Sequence, residues 1–191
     1  MNIILASASP RRKELLEMIT KDFEIVVSNV DEKLEVGMEV EEQVENLAYS
    51  KAKNVFDKTQ SNRIVIGSDT IVVKEGTIFG KPVSRDSAIE MLKELTSGDR
   101  VHEVITGLTV LIEKDGKTDE VKTFEKTKVY LNEMTDKEIE DWVDSGKAMD
   151  KAGAYGIQCE FSKFIKKIDG NYDSVVGLPV SKLYTIIKKY L

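Results

Sequence analysis

Blocks of apolar and polar positions along the chain predict strands that alternate with helices. Apolar runs predict strands at 3–6, 23–27, 64–67, 71–73 and 164–168. Two longer β-rich stretches, 101–112 and 121–131, flank Lys114-Asp115-Gly116-Lys117, which is typical of a tight hairpin turn. Because a hairpin makes two neighbouring strands antiparallel, the pattern favours a mixed α/β sheet flanked by helices over a purely parallel sheet.

Helical spacing of apolar residues predicts the other regular elements. The expected helices begin near Pro10, Glu39, Ser84, Thr135 and Pro179. Ser9, Ser84 and Thr135 are good N-caps because their side-chain oxygens accept hydrogen bonds from amides of the first helical turn. The stretch 146–156 is rich in small residues and has no clear period, so we interpret it as a functional loop.

Composition and charge narrow the function classes. The 191 residues suffice for one core, or for one core divided into two lobes around a cleft. A net charge of −6 argues against a nucleic-acid polymer as partner and favours a small phosphorylated molecule held by a local basic cluster. One cysteine and one histidine allow neither an internal disulfide nor a Cys/His zinc site. With no apolar run of about 18 residues and no signal-peptide pattern, we expect a cytoplasmic protein without a membrane partner.

The segment Ser7-Ala8-Ser9-Pro10-Arg11-Arg12-Lys13 is the first candidate for phosphate binding. It joins the first predicted strand to the first helix, and Pro10 suits the first helical position. The positive end of the helix dipole would point where Arg11 and Arg12 also point, and their planar guanidinium groups suit phosphate oxygens. A capped surface helix with solvated basic residues explains this segment equally well.

Two further residues are candidates for chemistry. Asp69 follows an apolar strand, and in α/β sheets ligands lie at the carboxyl ends of strands. Beside a metal ion such a carboxylate can orient and deprotonate water, although an aspartate that closes a turn is the alternative. Lys81 stands between Gly80 and Pro82, which restrain its backbone and help to aim its ammonium at a phosphate. A solvated loop lysine is the commoner outcome.

Other polar residues have plainer interpretations. Glu41, Glu42 and Glu45 resemble the acidic face of helical pyrophosphatases, but the neighbouring apolar positions place them on the solvent side. His102 is either a general base or a structural group, and without a second histidine a Ser-His-Asp hydrolase is not supported. Cys159 is interpreted as a small buried hydrophobe, with a reactive thiol as the alternative. The chain contains neither a P-loop nor a dinucleotide fingerprint.

Taken together and in order, these segments resemble the Maf family of nucleotide pyrophosphatases. The matching segments span essentially the whole chain: Ser7-Ala8-Ser9-Pro10-Arg11-Arg12, Val30-Asp31-Glu32, Leu47-Ala48 with Lys51-Ala52, Gly67-Ser68-Asp69-Thr70, Gly80-Lys81-Pro82, His102-Glu103-Val104-Ile105-Thr106-Gly107, Asp150-Lys151-Ala152-Gly153-Ala154-Tyr155-Gly156-Ile157-Gln158 and Val175-Val176-Gly177-Leu178-Pro179. Each segment alone is a weak signal, whereas the ordered set is specific.

The resemblance implies an elongated mixed sheet with helices, in two lobes around a cleft, and a single Maf-like domain over 1–191. It also implies hydrolysis of a nucleoside triphosphate to the monophosphate and pyrophosphate with a divalent cation, Mg²⁺ or Mn²⁺. The run Tyr155-Gly156-Ile157-Gln158 is similar to the subgroup that prefers dTTP and UTP. In that subgroup, positions matching Arg12, Thr70 and Gln158 are tied to base preference, and the position matching Asp69 is the proton acceptor.

On this resemblance each candidate residue receives an expected role. The substrate-binding residues are Ser7, Ser9, Arg11, Arg12, Thr70 and Gln158, and the catalytic residues are Asp69, Lys51 and Lys81. Glu32 and Asp69 are expected to hold the cation, which takes carboxylate and phosphate oxygens together. Gln158 offers an amide donor and acceptor to the edge of a thymine or uracil ring.

The family is also associated with arrest of septum formation. A nucleotide-binding regulator of cell division without significant turnover is therefore the alternative function, and a homodimer is left open as the assembly. The sequence departs from the family pattern at Ala148, Cys159 and Ser174, where proline, glycine and asparagine are common. The first two reshape a loop, and the third weakens a polar contact.

Overall fold

Seven strands form one mixed sheet in the residues that the structure, a computed structural model, describes: 1–31, 37–60 and 62–191. The strands are β1 Asn2–Leu5, β2 Glu24–Ile25, β3 Arg63–Lys74, β4 Thr77–Phe79, β5 Val101–Lys114, β6 Lys117–Leu131 and β7 Ile165–Asp169. Their order is β2-β1-β3-β5-β6-β7, and β4 pairs with β3. Strand β1 runs parallel to β2 and β3, whereas β3 with β4 and β6 with β7 are antiparallel. The predicted mixed α/β fold is confirmed.

The described residues also form six α-helices. They are α1 Pro10–Glu17, α2 Val40–Phe56, α3 Arg85–Leu95, α4 Asp136–Asp144, α5 Tyr172–Val176 and α6 Val180–Ile187. All three predicted N-caps are confirmed, because Ser9, Ser84 and Thr135 each accept a hydrogen bond from an amide three residues on. In this part of the chain no helix combines the length and the apolar character that crossing a membrane requires.

Strand β3 differs from its prediction. The pattern places a strand at 64–67 that ends in Ser68-Asp69-Thr70, whereas β3 continues without a break to Lys74. The prediction that Asp69 lies at the carboxyl end of its own strand is therefore wrong. Its parallel neighbour β1 ends at Leu5, which pairs with Ile66, so Asp69 lies just beyond the carboxyl end of β1.

Two smaller differences concern the edges of the fold. Strand β2 is shorter than the predicted strand at 23–27, and its two residues are exposed. Helix α5 is absent from the predicted elements, since five residues are too few for a helical period to show. Its backbone is held by Asn171, whose Oδ1 accepts from the amide of Ser174 at 2.8 Å.

The chain divides into two compact units, which agree in number with the expected lobes. Unit 1 comprises Met1–Asp69, Thr106–Glu125 and Gly177–Leu191, and unit 2 comprises Thr70–Ile105 and Lys126–Val176. Each unit has its own core. A core cluster of unit 1 contains Ile4, Ala6, Ala52, Val55, Val65 and Leu111. The core of unit 2 is more aromatic and includes Trp142, Tyr155, Phe161 and Phe164. Assignment of 1–191 to a single domain stays a prediction.

Candidate active site

The end of β1 and the start of α1 form the first part of the candidate site in unit 1. Ser7 is buried, and its Oγ accepts hydrogen bonds from the Ser9 amide at 3.2 Å and from Arg12 Nη1 at 3.3 Å. Arg12 Nε donates to the Gly177 carbonyl at 2.9 Å. Arg11 precedes Arg12 on α1 and is half-buried. These bonds hold the Arg12 guanidinium at the first turn of α1, where Ser9 caps the helix.

A buried ion pair forms the second part. Lys51 on α2 donates from Nζ to Asp69 Oδ1 on β3, and both side chains are at most 10% exposed. A charge buried alone is costly, so each member of this pair stabilises the other in the protein interior. The structure thus joins two candidates that the sequence placed on separate elements.

Two glycines explain why α2 approaches the sheet closely enough for this pair. A Cβ at Gly67 would lie 2.3 Å from the Ala48 carbonyl oxygen, and one at Gly107 would lie 2.3 Å from the Val44 carbonyl oxygen. Any side chain at either glycine would therefore push the helix away from β3 and β5. Lys51 lies on the same face of α2, less than one turn after Ala48.

Ser68 connects the two parts, and sequence reasoning assigned it no role. Its Oγ lies 2.9 Å from the carbonyl oxygens of both Gly107 and Gly177. The Gly177 carbonyl also accepts from Arg12, so Ser68 and Arg12 meet at one oxygen. Gly177 has φ 131°, a conformation that favours glycine. The signal available in the sequence was a serine directly before the candidate aspartate.

The other candidates belong to unit 2. Thr70 is half-buried and follows Asp69 on β3, whereas Lys81 and Gln158 are exposed. Gly153 donates from its amide to the Gly80 carbonyl at 3.0 Å. This hydrogen bond connects the residue before Lys81 with the segment 153–157, which precedes Gln158.

His102 fits the structural alternative. It is 2% exposed on β5, and its Nε2 lies 2.6 Å from the Tyr155 hydroxyl. Burial, and secondarily the charge of Lys74, lower the pKa of His102 to about 4. A neutral, buried imidazole is better suited to hold the Tyr155 hydroxyl by a hydrogen bond than to exchange protons with a bound ligand.

Similarity to known proteins shows the family of this chain. A family described as Maf-like protein matches residues 2–190. The chain belongs to the Maf family. Among its relatives, the dTTP/UTP pyrophosphatase of Thermoanaerobacter sp. (strain X514) is 47% identical over 99% of this chain and 96% of its own length. The dTTP/UTP pyrophosphatase of Alkaliphilus metalliredigens (strain QYMF) is 48% identical over 98% of this chain and 95% of its own length.

Solved structures of lower identity share the fold of this Maf chain. The Staphylococcus aureus Ham1 protein matches with a TM-score of 0.51 and 15% identity, and 100% of each chain is covered. A HAM1 protein from Coxiella burnetii matches with a TM-score of 0.52 and 13% identity, and 99% of each chain is covered. At these identities the likeness shows the fold alone.

Glu32 and Asp69 are the predicted ligands of the divalent cation that is expected in a Maf protein. Glu32, one of its two predicted ligands, lies outside the described residues. Within the described ranges no cluster of three histidine, cysteine or acidic residues could hold a metal ion, and Asp69 supplies one carboxylate. Mg²⁺ keeps several waters and binds through one or two carboxylates together with substrate phosphates. The donor chemistry of Asp69 fits such a cation.

The three departures from the Maf pattern lie in unit 2. Ala148 is fully buried in the core. Cys159 is only half-buried, which differs from the prediction of a buried residue, and its Sγ donates to the Gly156 carbonyl at 3.1 Å. Ser174 is buried, with its Oγ 3.1 Å from Thr127 Oγ1 and 2.7 Å from the Asn171 carbonyl, so a serine here keeps polar contacts.

Proposed function

We propose that this Maf protein hydrolyses nucleoside triphosphates, with dTTP and UTP preferred, to the monophosphate and pyrophosphate. Relatives of nearly equal length and 47–48% identity bear the name dTTP/UTP pyrophosphatase, which supports the activity. The observation that carries the proposal is the buried Lys51–Asp69 pair in the same unit as the Ser7–Arg12 cluster. A carboxylate that can accept a proton from water, in the same unit as a helix start that can bind phosphate, suits the attack of water on a phosphate.

In the proposed reaction Asp69 acts on the attacking water. Lys51 contacts Oδ1, which leaves Oδ2 to accept a hydrogen bond from a water molecule. The water oxygen forms a bond to the α-phosphorus, and the bond to the oxygen that bridges the α- and β-phosphates breaks. The water proton passes to Asp69, and pyrophosphate leaves with the electron pair of the broken bond.

The phosphates are assigned to the basic residues. The first turn of α1, with Ser9, Arg11 and Arg12, provides donors and positive charge for the triphosphate, and Lys81 adds a further ammonium. We assign the divalent cation, Mg²⁺ or Mn²⁺, to Asp69 together with Glu32. When bound, the cation neutralises charge on the phosphate oxygens.

Base preference is assigned to Arg12, Thr70 and Gln158. A thymine or uracil ring presents a carbonyl, an N–H and a second carbonyl along one edge. An amide can meet that edge with both a donor and an acceptor, whereas cytosine presents a different order. A site that pairs with this edge discriminates because the wrong base leaves hydrogen-bond donors or acceptors of the site without a partner.

The proposal is tested with the purified protein and a panel of dTTP, UTP, CTP, ATP and GTP in the presence of Mg²⁺ or Mn²⁺. We expect release of pyrophosphate and monophosphate, fastest from dTTP and UTP. Nucleotide binding without release of pyrophosphate would instead support the alternative, a regulator of septum formation. A panel led by purine nucleotides would contradict the preference but not the reaction. Light scattering of the same sample tests the homodimer, which stays a prediction.

A further inference from the structure

The segment that leads to Gln158 is held at successive residues in unit 2. The Gly153 amide donates to the Gly80 carbonyl at 3.0 Å, and the Ala154 carbonyl accepts from Trp142 Nε1 at 2.9 Å. The next residue, Tyr155, has its hydroxyl 2.6 Å from His102 Nε2. Ala154 has φ 61°, which is strained for a residue other than glycine, so the surrounding bonds must maintain this turn.

Residues 156–160 form a loop with the exposed Gln158 in its middle, and the residues on either side of the loop contact each other. Tyr155 precedes the loop and Phe161 follows it, and their ring centroids lie 4.9 Å apart. Phe161 is fully buried and also packs against Trp142 and Phe164. The Tyr155 ring thus joins the residues at the two ends of the loop.

His102 is the polar partner of that ring. Both residues are at most 5% exposed, and the imidazole stands edge-on to the tyrosine ring with 5.4 Å between centroids. His102 Nδ1 is buried and has no hydrogen-bond partner among the described residues, so the contact with Tyr155 is the polar contact that the structure shows for this imidazole. Burying a histidine with one nitrogen unpaired costs free energy, which a nonpolar side chain at this position would avoid.

We propose that His102 and Tyr155 are positioning residues for selection of the nucleobase. Their hydrogen bond fixes the start of the loop that presents Gln158. The inference rests on the proposed function, in which Gln158 pairs with the pyrimidine edge. Gly153, two residues before Tyr155, also donates to the Gly80 carbonyl, which precedes Lys81. The loop that carries Gln158 and the segment that carries Lys81 are therefore linked by this hydrogen bond. Neither His102 nor Tyr155 contacts the nucleotide in this proposal.

The test is Tyr155→Phe, which keeps the ring and its contact with Phe161 and removes only the hydroxyl. We expect the ratio of kcat/KM for dTTP to that for CTP to fall about fivefold, mainly through KM for dTTP. His102→Gln, which retains hydrogen-bonding groups, should lower the ratio less. Tyr130→Phe removes the same atom from β6 in the same unit and should leave the ratio unchanged.

A double-mutant cycle separates positioning from a general loss of stability. In a Gln158→Ala background, Tyr155→Phe should change the ratio no further, because the residue through which it acts is gone. A Tyr155→Phe protein that melts earlier yet keeps the wild-type ratio would overturn the inference while the proposed function stands. A wild-type protein that does not hydrolyse dTTP would instead remove the proposed function.

If neither variant gives folded protein, the wild-type chain still provides a test. It contains one histidine and one tryptophan, so the imidazole and indole NMR signals are assigned without ambiguity. Saturating dTMP should shift the His102 signals, whereas pyrophosphate alone should not. Unshifted imidazole signals with dTMP bound would overturn the inference.

Discussion

Asp69 on β3 and Lys51 on α2 form a buried ion pair across eighteen positions of sequence. The pair exists because Gly67 and Gly107 let α2 lie directly against the sheet. The contact with the Lys51 ammonium holds the orientation of the Asp69 carboxylate without a bound nucleotide. The protein thus prepares its candidate base before substrate arrives.

Asp69→Asn should lower turnover of dTTP by about a hundredfold or more, since an amide cannot take a proton from water. Binding of a non-hydrolysable dTTP analogue should change much less, because the amide keeps nearly the same shape. Asp57→Asn makes the same change in the exposed pair with Lys53 and should leave turnover unaltered. Turnover near the wild-type value in Asp69→Asn would exclude Asp69 as the base.

Lys51→Ala should destabilise the protein by about 3 kcal/mol, because it leaves the Asp69 carboxylate buried without its partner. The measurement is the free energy of unfolding in urea. Lys53→Ala on the same helix removes an exposed ammonium from an ion pair with Asp57, and its urea midpoint should match the wild type. Equal effects of the two substitutions would show that burial of the Lys51 pair contributes nothing.

Gly67→Ala should destabilise the protein by about 3 kcal/mol, because the new Cβ would overlap the backbone of α2 at Ala48. Turnover should fall with it, since the helix that carries Lys51 must move. Gly80→Ala is the matched substitution for stability, because a Cβ there has no heavy atom within 4 Å. The urea midpoints of the two variants decide the prediction, and similar midpoints would contradict it.

Stability should depend on pH through the one histidine of the chain. The pKa of His102 is lowered from 6.5 in the unfolded chain to about 4 in the fold, so the folded state binds fewer protons and loses stability as the pH falls. Between pH 7.5 and pH 5 the free energy of unfolding should decrease by about 2 kcal/mol from this group, before most carboxylates titrate. His102→Gln should remove most of that slope, and an unchanged slope would place its origin elsewhere.

Gln158→Glu should erode the preference for dTTP over CTP by about tenfold, on the order expected when a hydrogen bond to the base is lost. A carboxylate has no donor for the carbonyl oxygens of thymine, whereas the amide has two N–H donors. Gln60→Glu adds the same charge at an exposed position and serves as the control. The comparison is the ratio of kcat/KM values for the two nucleotides.

Local features of the fold were predictable because they depend on neighbours within a few residues. The caps at Ser9, Ser84 and Thr135, the period of α2 and the turn at Asp115 are all such features. The order of the Maf segments likewise resides in the sequence. Where local signals conflict, as at Ser68-Asp69-Thr70, polar residues indicated the end of a strand that packing in fact continues.

The amino-acid sequence alone determined which main segments are helices or strands, the family, and the identities of the candidate site residues. Only the tertiary structure decided which of them meet. Arg12 and Gly177 are 165 positions apart, and Lys51 reaches Asp69 because two glycines accept the backbone of a helix. His102 meets the Tyr155 hydroxyl across 53 positions of sequence, and both side chains are buried. Such contacts depend on how elements pack over long sequence distances, and residue periodicity carries no information about them.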